Sequence, residues 1–439
     1  MTELSESVRQ QFDRSPYPRY AIEDSPRNDL GLLYQQSIVN SFYKRDGKVI
    51  DTKNLTVLDA GCGSGYKALA LAVANPGISV VGVDFSKTSV ELARHRLKYH
   101  NIENAEFHAV PLEDIGNLGI EFDYINCDEV LYLLPDPVAG LQALTSVLKP
   151  HGIIRGNFHS QFQRVRYFRA QKLFQMMGLM EEDVSDDMAI ALVRDTMNAL
   201  KDSIDLKQAW SMVKDDEERL LANYLLREDR GYTIPQLFDI LDRVGLEFIS
   251  MTNWRQWDVM DLFENPEDLP AFLGISLPET SISERLHLYE LIHPIHRLLD
   301  FWCGYPDAGQ TTVPISERTP EQWKSTRVYL HPLLRLTPLK ADMTASAASF
   351  RGLVLNRYLP IPGASSFVLD TTSVTLLLPL FERDRSFTEL VAWWQAIYPV
   401  DLVTRQPITE KQAWGVVCSI LTTLEHFGSV MLELTPSTT

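Results

Sequence analysis

The chain has 439 residues, 45% of them hydrophobic, and a formal net charge of −17. That length supports two or three domains with a large core. The acidic balance excludes nucleic acid as the main partner, because phosphate binding needs clustered Lys and Arg. Four scattered cysteines (Cys62, Cys127, Cys303, Cys418) form no zinc pattern and fit reduced thiols in the cytoplasm. No apolar run is long enough to span a membrane, and Met1 to Arg9 has no secretory apolar region. No metal and no membrane partner are expected.

In chain order, Phe12 to Tyr20 carries Pro16 and Pro18, which fix φ and predict an extended turn. Tyr17 and Tyr20 there read as the surface packing of an arm. Leu30 to Tyr43 reads as an amphipathic helix. The apolar Leu55, Val57 and Leu58, bounded by glycines, predict a short buried strand. Gly61, Gly63 and Gly65 then allow a sharp turn, and Tyr66 to Ala74, rich in Ala and Leu, starts a helix. Backbone N–H groups at that helix start favour an anion, which points to a nucleotide-type ligand. A dinucleotide loop would read Gly-x-Gly-x-x-Gly. Here the pattern is Asp59-x-Gly61-x-Gly63-x-Gly65, and a second apolar run, Ile78 to Val83, ends at Asp84. A carboxylate at that strand tip accepts bonds from both ribose hydroxyls and repels a 2′-phosphate. The ligand therefore carries a free ribose and a small polar end.

Strands and helices alternate from Leu55 to Phe158, with helices over Ser89–His100 and Val138–Leu148 and a strand over Gly152–Phe158. This alternation predicts an α/β fold with a Rossmann-like, doubly wound parallel sheet. Asp59, Asp84, Asn126, Cys127, Asn157 and His159 fall at the carboxyl ends of its strands, where such sheets bind ligands. After His159 the charged, strand-free stretch Phe162 to Asn223 reads as an inserted helical cap, with Arg164, Arg166 and Arg169 as a local basic patch. Thr233, Pro235 and Gly245 bound a further helix, followed by a strand over Leu246–Met251. Trp254 to Pro306 reads as helical and aromatic-rich. His293 and His296 in it share a helical spacing but have no partnering acid, so packing is favoured over a metal site. Asp307 to Met343 reads as a linker. Helices over Phe387–Tyr398 and Glu410–Phe427 and an end strand over Ser429–Leu434 form a small α+β unit. The expected division is 1–50, an arm and helix over the cofactor site; 51–160, the core; 161–225, the cap; 226–255, completion of the core; 256–343, a helical and linker region; and 344–439, the C-terminal domain.

Val57 to Gly65, Val81 to Ser86, Glu129 to Pro137 and Leu148 to Gly152, in this order and spacing, resemble the class I S-adenosylmethionine-dependent methyltransferases. The resemblance implies S-adenosylmethionine as cofactor. It implies that Asp59 and the backbone of Gly61, Cys62, Gly63 and Gly65 hold the amino and carboxylate ends. It assigns the ribose to Asp84 and the adenine face to Phe85, and it places the Cys127 backbone against the methionine part. An acid that many relatives carry near Val110 or Pro111 is missing here, so adenine falls to the backbone near Leu112 and to Glu113. Glu113 and Asp114 also read as a solvated loop pair. In relatives the Pro-Tyr-Pro segment and the helix after it close over the cofactor, so the resemblance makes Tyr17 and Tyr20 candidate lids over the pocket. The cap and tail resemble bacterial multidomain members with a winged-helix-like regulatory domain. In the helix Glu410–Phe427, Lys411 is the only Lys or Arg, so docking or dimerisation is expected there rather than DNA reading, and a homodimer is a candidate assembly.

A sulfonium methyl is already activated, so catalysis needs in-line placement and a base for a protonated nucleophile. The family's Asn/Asp-Pro-Pro-Tyr segment for exocyclic DNA amines is absent, since this chain reads Asn126-Cys127-Asp128-Glu129. Tyr132 is expected to face the substrate as a pocket wall or base. His159 is expected either as a base or as a surface histidine beside the cap. The cap and tail favour a protein side chain as acceptor, and an amide or amine nitrogen is the expected atom, rather than oxygen. The alternatives are a small-molecule N- or O-methyltransferase and a non-catalytic cofactor-binding scaffold.

Overall fold

The computed structural model describes residues 17–181, 184–310, 312–360, 367–401 and 403–435. Met1 to Arg9, and Phe12 to Pro16 of the proline-bearing turn, lie outside the described residues. The chain divides into two units: one holds 1–24, 55–69 and 79–306, the other 25–54, 70–78 and 307–439.

The first unit is built on β1 (Thr56–Ala60), β2 (Ser79–Asp84), β3 (Ala105–Ala109), β4 (Phe122–Cys127), β5 (Leu148–Ser160), the two-residue β6 (Gly231–Tyr232), β7 (Glu247–Met251) and β8 (Leu298–Gly304). The sheet runs β3-β2-β1-β4-β5-β8-β7, with β6 paired to β5 off this path. β1 to β5 pair in parallel, whereas β8 is antiparallel to both β5 and β7. Register aligns Ala60 with Val83, Asp84 with Ala109, and Cys127 with Gly156, so the strands end along one edge. β1, β2 and β4 are buried almost throughout, which is why they read as continuous apolar runs rather than alternating ones. Leu58, Val81, Ile125, Ile154, Phe158 and Phe301 form the centre of the core.

Helices α1 (Tyr66–Ala74), α2 (Lys87–Tyr99) and α3 (Pro137–Thr145) connect these strands. Asp136 caps α3 by accepting from the Val138 and Ala139 N–H groups. α3 ends at Thr145 and Leu148 already opens β5, so the expected helix to Leu148 is too long. Pro150 is tolerated in β5 because the β4–β5 register shifts beside Phe122. Helices α4 (Val165–Met176), α5 (Asp186–Ala199) and α6 (Glu217–Tyr224) fill the stretch between β5 and β6. They have a core of their own, centred on Phe174, Val193, Trp210 and Tyr224. α7 (Ile234–Val244) starts at a Thr233–Gln236 capping box and stops at Gly245, φ +76°. The helical reading of Trp254–Pro306 fails at β8. Asp300 interrupts its apolar run, but Arg155 neutralises that carboxylate, so the strand can be buried between two neighbours.

In the second unit the expected helix Leu30–Tyr43 is two helices, Leu30–Gln35 and Val39–Asp46. The break is held by Asn75, which donates to the Gln36 carbonyl and accepts from the Ile38 N–H. The expected arm of residues 1–50 is thus shared between the two units from Ser25 onward. The stretch 307–343 is not a linker. Thr326–Leu330 is the central strand of an antiparallel sheet, flanked by Arg385–Ser386 and Val430–Leu434. Its alternate residues Thr326, Val328 and Leu330 are buried, a short period-two signal among charged neighbours. Helices Leu339–Ser349, Thr371–Leu377, Phe387–Ile397 and Glu410–His426 complete the unit. Among the described residues no helix is long and apolar enough to cross a membrane.

Candidate active site

The turn after β1 has Gly61, Gly63 and Gly65 at φ +78°, +49° and +79°. A Cβ on Gly63 would lie 2.2 Å from the Tyr17 carbonyl oxygen, and one on Gly65 would lie 2.7 Å from the Ala93 Cα. Gly63 therefore lets residues 17–20 cross the loop, and Gly65 lets α2 approach it. The crossing is fixed by hydrogen bonds. The Ser64 N–H donates to the Tyr17 carbonyl (2.9 Å) and the Ser64 hydroxyl to the Pro18 carbonyl (2.7 Å). The buried Arg96 guanidinium donates to the carbonyls of Ser64 (2.9 Å), Tyr20 (2.8 Å) and Ala21 (2.6 Å). Tyr20 stacks on Tyr66 with ring centroids 3.9 Å apart.

Beside this turn opens a cleft of about 860 Å³. Of the residues expected at the site, Tyr17, Tyr20, Gly61, Cys62, Gly63, Asp84, Phe85, Leu112, Glu113, Tyr132 and His159 line it together. Gly65, Asp59 and Cys127 are not part of the lining. Cys127 is fully buried. Asp59 sits beneath the loop, where Oδ1 accepts from Asn126 Nδ2 (2.8 Å) and Oδ2 has no hydrogen-bond partner among the described residues. Burial pushes its carboxyl up to about 6. Asp84 accepts from the N–H groups of Gly63 and Ser86, both at 2.9 Å, which aims its carboxylate at the turn.

These features fit S-adenosylmethionine. The turn admits no Cβ at Gly63, Asp84 closes β2 with the Phe85 ring after it, and a buried carboxylate oxygen lies unpartnered under the loop. Gly61–Gly63 and Asp59 would hold the methionine end, Asp84 the ribose and Phe85 the adenine. The cofactor supplies a sulfonium-activated methyl group.

A buried polar network that the sequence did not reveal backs the other wall. Lys67, in the first turn of α1, pairs with Asp128, which also accepts from Asn157 Nδ2 at 2.6 Å. Arg155 spans Asp300 (2.7 and 3.0 Å) and Asn126 (3.3 Å). Glu129 has φ +64°, unusual for a residue with a side chain. Its N–H donates to Asn157 Oδ1 (2.8 Å), and its carboxylate accepts from Arg297 Nη2 (2.6 Å) and the Tyr132 hydroxyl (3.3 Å). Burial opposes the charge on Glu129, but Arg297 and Lys67 hold its carboxyl below the usual range.

His159 is buried, not a surface histidine. Arg297 Nη1 lies 3.1 Å from His159 Nε2, and an arginine can only donate, so Nε2 accepts. Nδ1 then carries the proton and donates to Asp229 Oδ1 at 2.5 Å. Asp229 also accepts from Arg164 and Gln171, each at 2.8 Å. Burial, with Arg164 and Arg297 nearby, lowers His159 to about 4 despite Asp229, so the imidazole is neutral at pH 7. Its ring stacks on Tyr132, centroids 3.7 Å apart. The expected basic patch is neutralised: Arg164 is buried on Asp229, and Arg166 and Arg169 share Asp205. Asp128 and Glu129 were legible as acids following an apolar strand. Asp229 and Arg297 were not, since they reach His159 across 70 and 138 residues.

Residues 51–223 match a family of methyltransferase domains. An uncharacterized protein of Synechococcus is 25% identical over 69% of this chain and 72% of its own length. A ubiquinone biosynthesis O-methyltransferase of Acinetobacter baumannii is 28% identical over 28% of this chain, and the match spans about half (48%) of that relative. The structure of PKMT2 from Rickettsia typhi in complex with AdoHcy superposes with a TM-score of 0.58 at 15% identity, covering 96% of this chain and 78% of that one, and shares the fold. Glycine turn, strand order and domain match agree: the chain carries, over residues 51–223, a class I S-adenosylmethionine-dependent methyltransferase domain and is an enzyme of that type.

Proposed function

We propose that this methyltransferase acts on a protein side chain, at an amine nitrogen. The observation that carries this reading is the charge of the cleft. Among the described residues of its lining, Asp84, Glu113, Asp128, Glu129, Asp186, Asp216, Glu218 and Glu228 face Arg19, Lys67, Arg219 and Arg297, eight acids to four bases. Such a surface attracts a cationic acceptor and disfavours an anionic one. Asp216 and Glu218 come from the start of α6 and Asp186 from the start of α5, so the helices between β5 and β6 extend the acidic wall outward. A side chain presented on a polypeptide can use that extra surface, whereas a small metabolite cannot.

Asp59, the Gly61–Gly63 backbone, Asp84, Phe85, Leu112 and Glu113 are read as the cofactor side, Tyr17 and Tyr20 as its cover, and Tyr132 and His159 as the acceptor side. The C-terminal order of helix 371–377, strand 385–386, helices 387–397 and 410–426, and strand 430–434 supports a winged-helix-like docking or dimerisation element. We assign the protein to the cytoplasm on its cysteine usage. The test is transfer of radiolabelled methyl from S-adenosylmethionine into a cell extract. Label in protein, stable to mild base as an N-methyl group is, supports the reading. Label found entirely in small metabolites contradicts it.

A further inference from the structure

Arg297 bridges two acceptors on the cleft wall. Immediately before β8, it reaches into the cleft and binds two groups of opposite need, the Glu129 carboxylate at 2.6 Å and the His159 Nε2 lone pair at 3.1 Å. Its side chain is 42% exposed, against 18% for Glu129 and 1% for His159. Arg297 is therefore the solvent-facing member of the three, whereas its two partners are fixed. Glu129 is held through its N–H on Asn157 at a positive φ, and His159 by Asp229 on one edge and Tyr132 on one face.

Resting on the amine reading above, we propose that Arg297 is a removable cap on the acceptor site. Its guanidinium holds the place between Glu129 and His159 that the acceptor's cationic nitrogen takes, and its departure uncovers the His159–Asp229 pair as proton acceptor. With the cap withdrawn, Glu129 pairs with the incoming ammonium group and orients it. His159 Nε2 removes one proton from that nitrogen, with Asp229 balancing the imidazolium charge through Nδ1–H. The freed lone pair forms the new N–C bond as the C–S bond breaks, and the electron pair of that bond remains on sulfur. The imidazolium then releases its proton to water as Arg297 returns. Among the described residues the charged groups that face His159 are Asp229, Arg164 and Arg297, and the Tyr132 hydroxyl stays neutral because burial raises it. Removing Arg297 removes one of two cations that disfavour a protonated His159.

The full-length chain and its Arg297→Ala variant are compared, with an oligolysine peptide as probe, by two readouts. In the first, ¹⁵N-histidine NMR without cofactor, the peptide is expected to shift the wild-type His159 Nε2 resonance as the cap leaves, and Arg297→Ala is expected to move the His159 titration toward the ordinary range. In the second, steady-state methylation, Arg297→Ala is expected to lower KM for the peptide roughly tenfold without abolishing kcat. If the wild type methylates the peptide but Arg297→Ala raises its KM, and the peptide leaves the Nε2 resonance unmoved, the cap is overturned while the amine reading stands. If a catechol is methylated and no amine is, both are overturned. Should Arg297→Ala not fold, the wild-type NMR titration with peptide decides between the same outcomes.

Discussion

His159 and Asp229 meet at 2.5 Å, Nδ1 to Oδ1, with both side chains buried, although 70 residues separate them. Asp229 also accepts from Arg164 and Gln171, so one carboxylate joins the end of β5, the start of α4 and the approach to β6. This contact fixes the tautomer, with the Nε2 lone pair toward the cleft, while burial and the nearby Arg164 and Arg297 keep the ring neutral.

That neutrality has a consequence for stability. An unfolded histidine takes a proton near pH 6.5, the folded His159 only at about 4. Between these values the unfolded state binds more protons, so His159 makes stability rise with pH. Asp59 does the opposite, because its folded carboxyl keeps a proton up to about 6, well above the unfolded value near 3.9, and stability falls with pH across that window. The two slopes oppose each other from about pH 4 to 6. His159→Gln removes the His159 slope and leaves that of Asp59; it also loosens Asp229, whose low carboxyl leans on His159, so the comparison is read in the upper part of the window, from about pH 5 to 6. Urea unfolding at a series of pH values is expected to show a shallow dependence for the wild type there and a decline with rising pH for the variant.

Asp59→Asn is expected to stabilise the cofactor-free chain at pH 7 by about 1–3 kcal/mol, because it replaces a buried carboxylate that has one unpartnered oxygen. The same change removes the charge that would meet the cofactor's amino group, so affinity for S-adenosylhomocysteine is expected to drop at least roughly tenfold. Chemical denaturation and calorimetry on one preparation check both signs. A variant that is less stable and binds normally would remove Asp59 from the cofactor side.

Gly63→Ala places a methyl group 2.2 Å from the Tyr17 carbonyl oxygen at φ +49°. The backbone strain costs about 1–2 kcal/mol, and residues 17–20 have to lift from the turn. The expected result is a modest loss of stability with a disproportionate loss of cofactor affinity. Gly65→Ala, which strikes the Ala93 backbone at 2.7 Å away from the cleft lining, is expected to act mainly on stability.

Arg96 holds three carbonyls at once, two of them on the segment that covers the glycine turn. Arg96→Met is expected to cost about 3 kcal/mol, since the carbonyls lose a buried charged donor. It should also expose the backbone near Tyr20 and Ala21 to limited proteolysis before the rest of the sheet unit is cut. Time-resolved digestion read by mass spectrometry tests this order.

The glycine-turn side of the cleft was readable because its parts are local. The glycine turn and the acid closing β2 are each a run of adjacent residues whose backbone conformation or strand position dictates residue type. Even there Gly65 proved to serve helix packing and Cys127 to lie behind the lining, distinctions that need the third dimension. On the opposite wall Tyr132 and His159 were named, but their partners Asp229 and Arg297 were hidden because those contacts are long-range. Arg297 precedes a strand that reads as helical aromatic sequence, since Asp300 breaks its apolar run and the compensating Arg155 sits on another strand. The strand Thr326–Leu330 escaped for a related reason: five residues with three buried ones give too short a period amid charged neighbours.

The most direct test of the account uses the purified chain, S-adenosylmethionine with a labelled methyl group, and two acceptors in competition, an oligolysine peptide and a catechol, with product masses and fragmentation read by mass spectrometry. The account predicts methylation of peptide side-chain amines, lost when Asp84→Ala removes the carboxylate assigned to the ribose. Methylation of the catechol oxygen alone, with the peptide untouched, would contradict it.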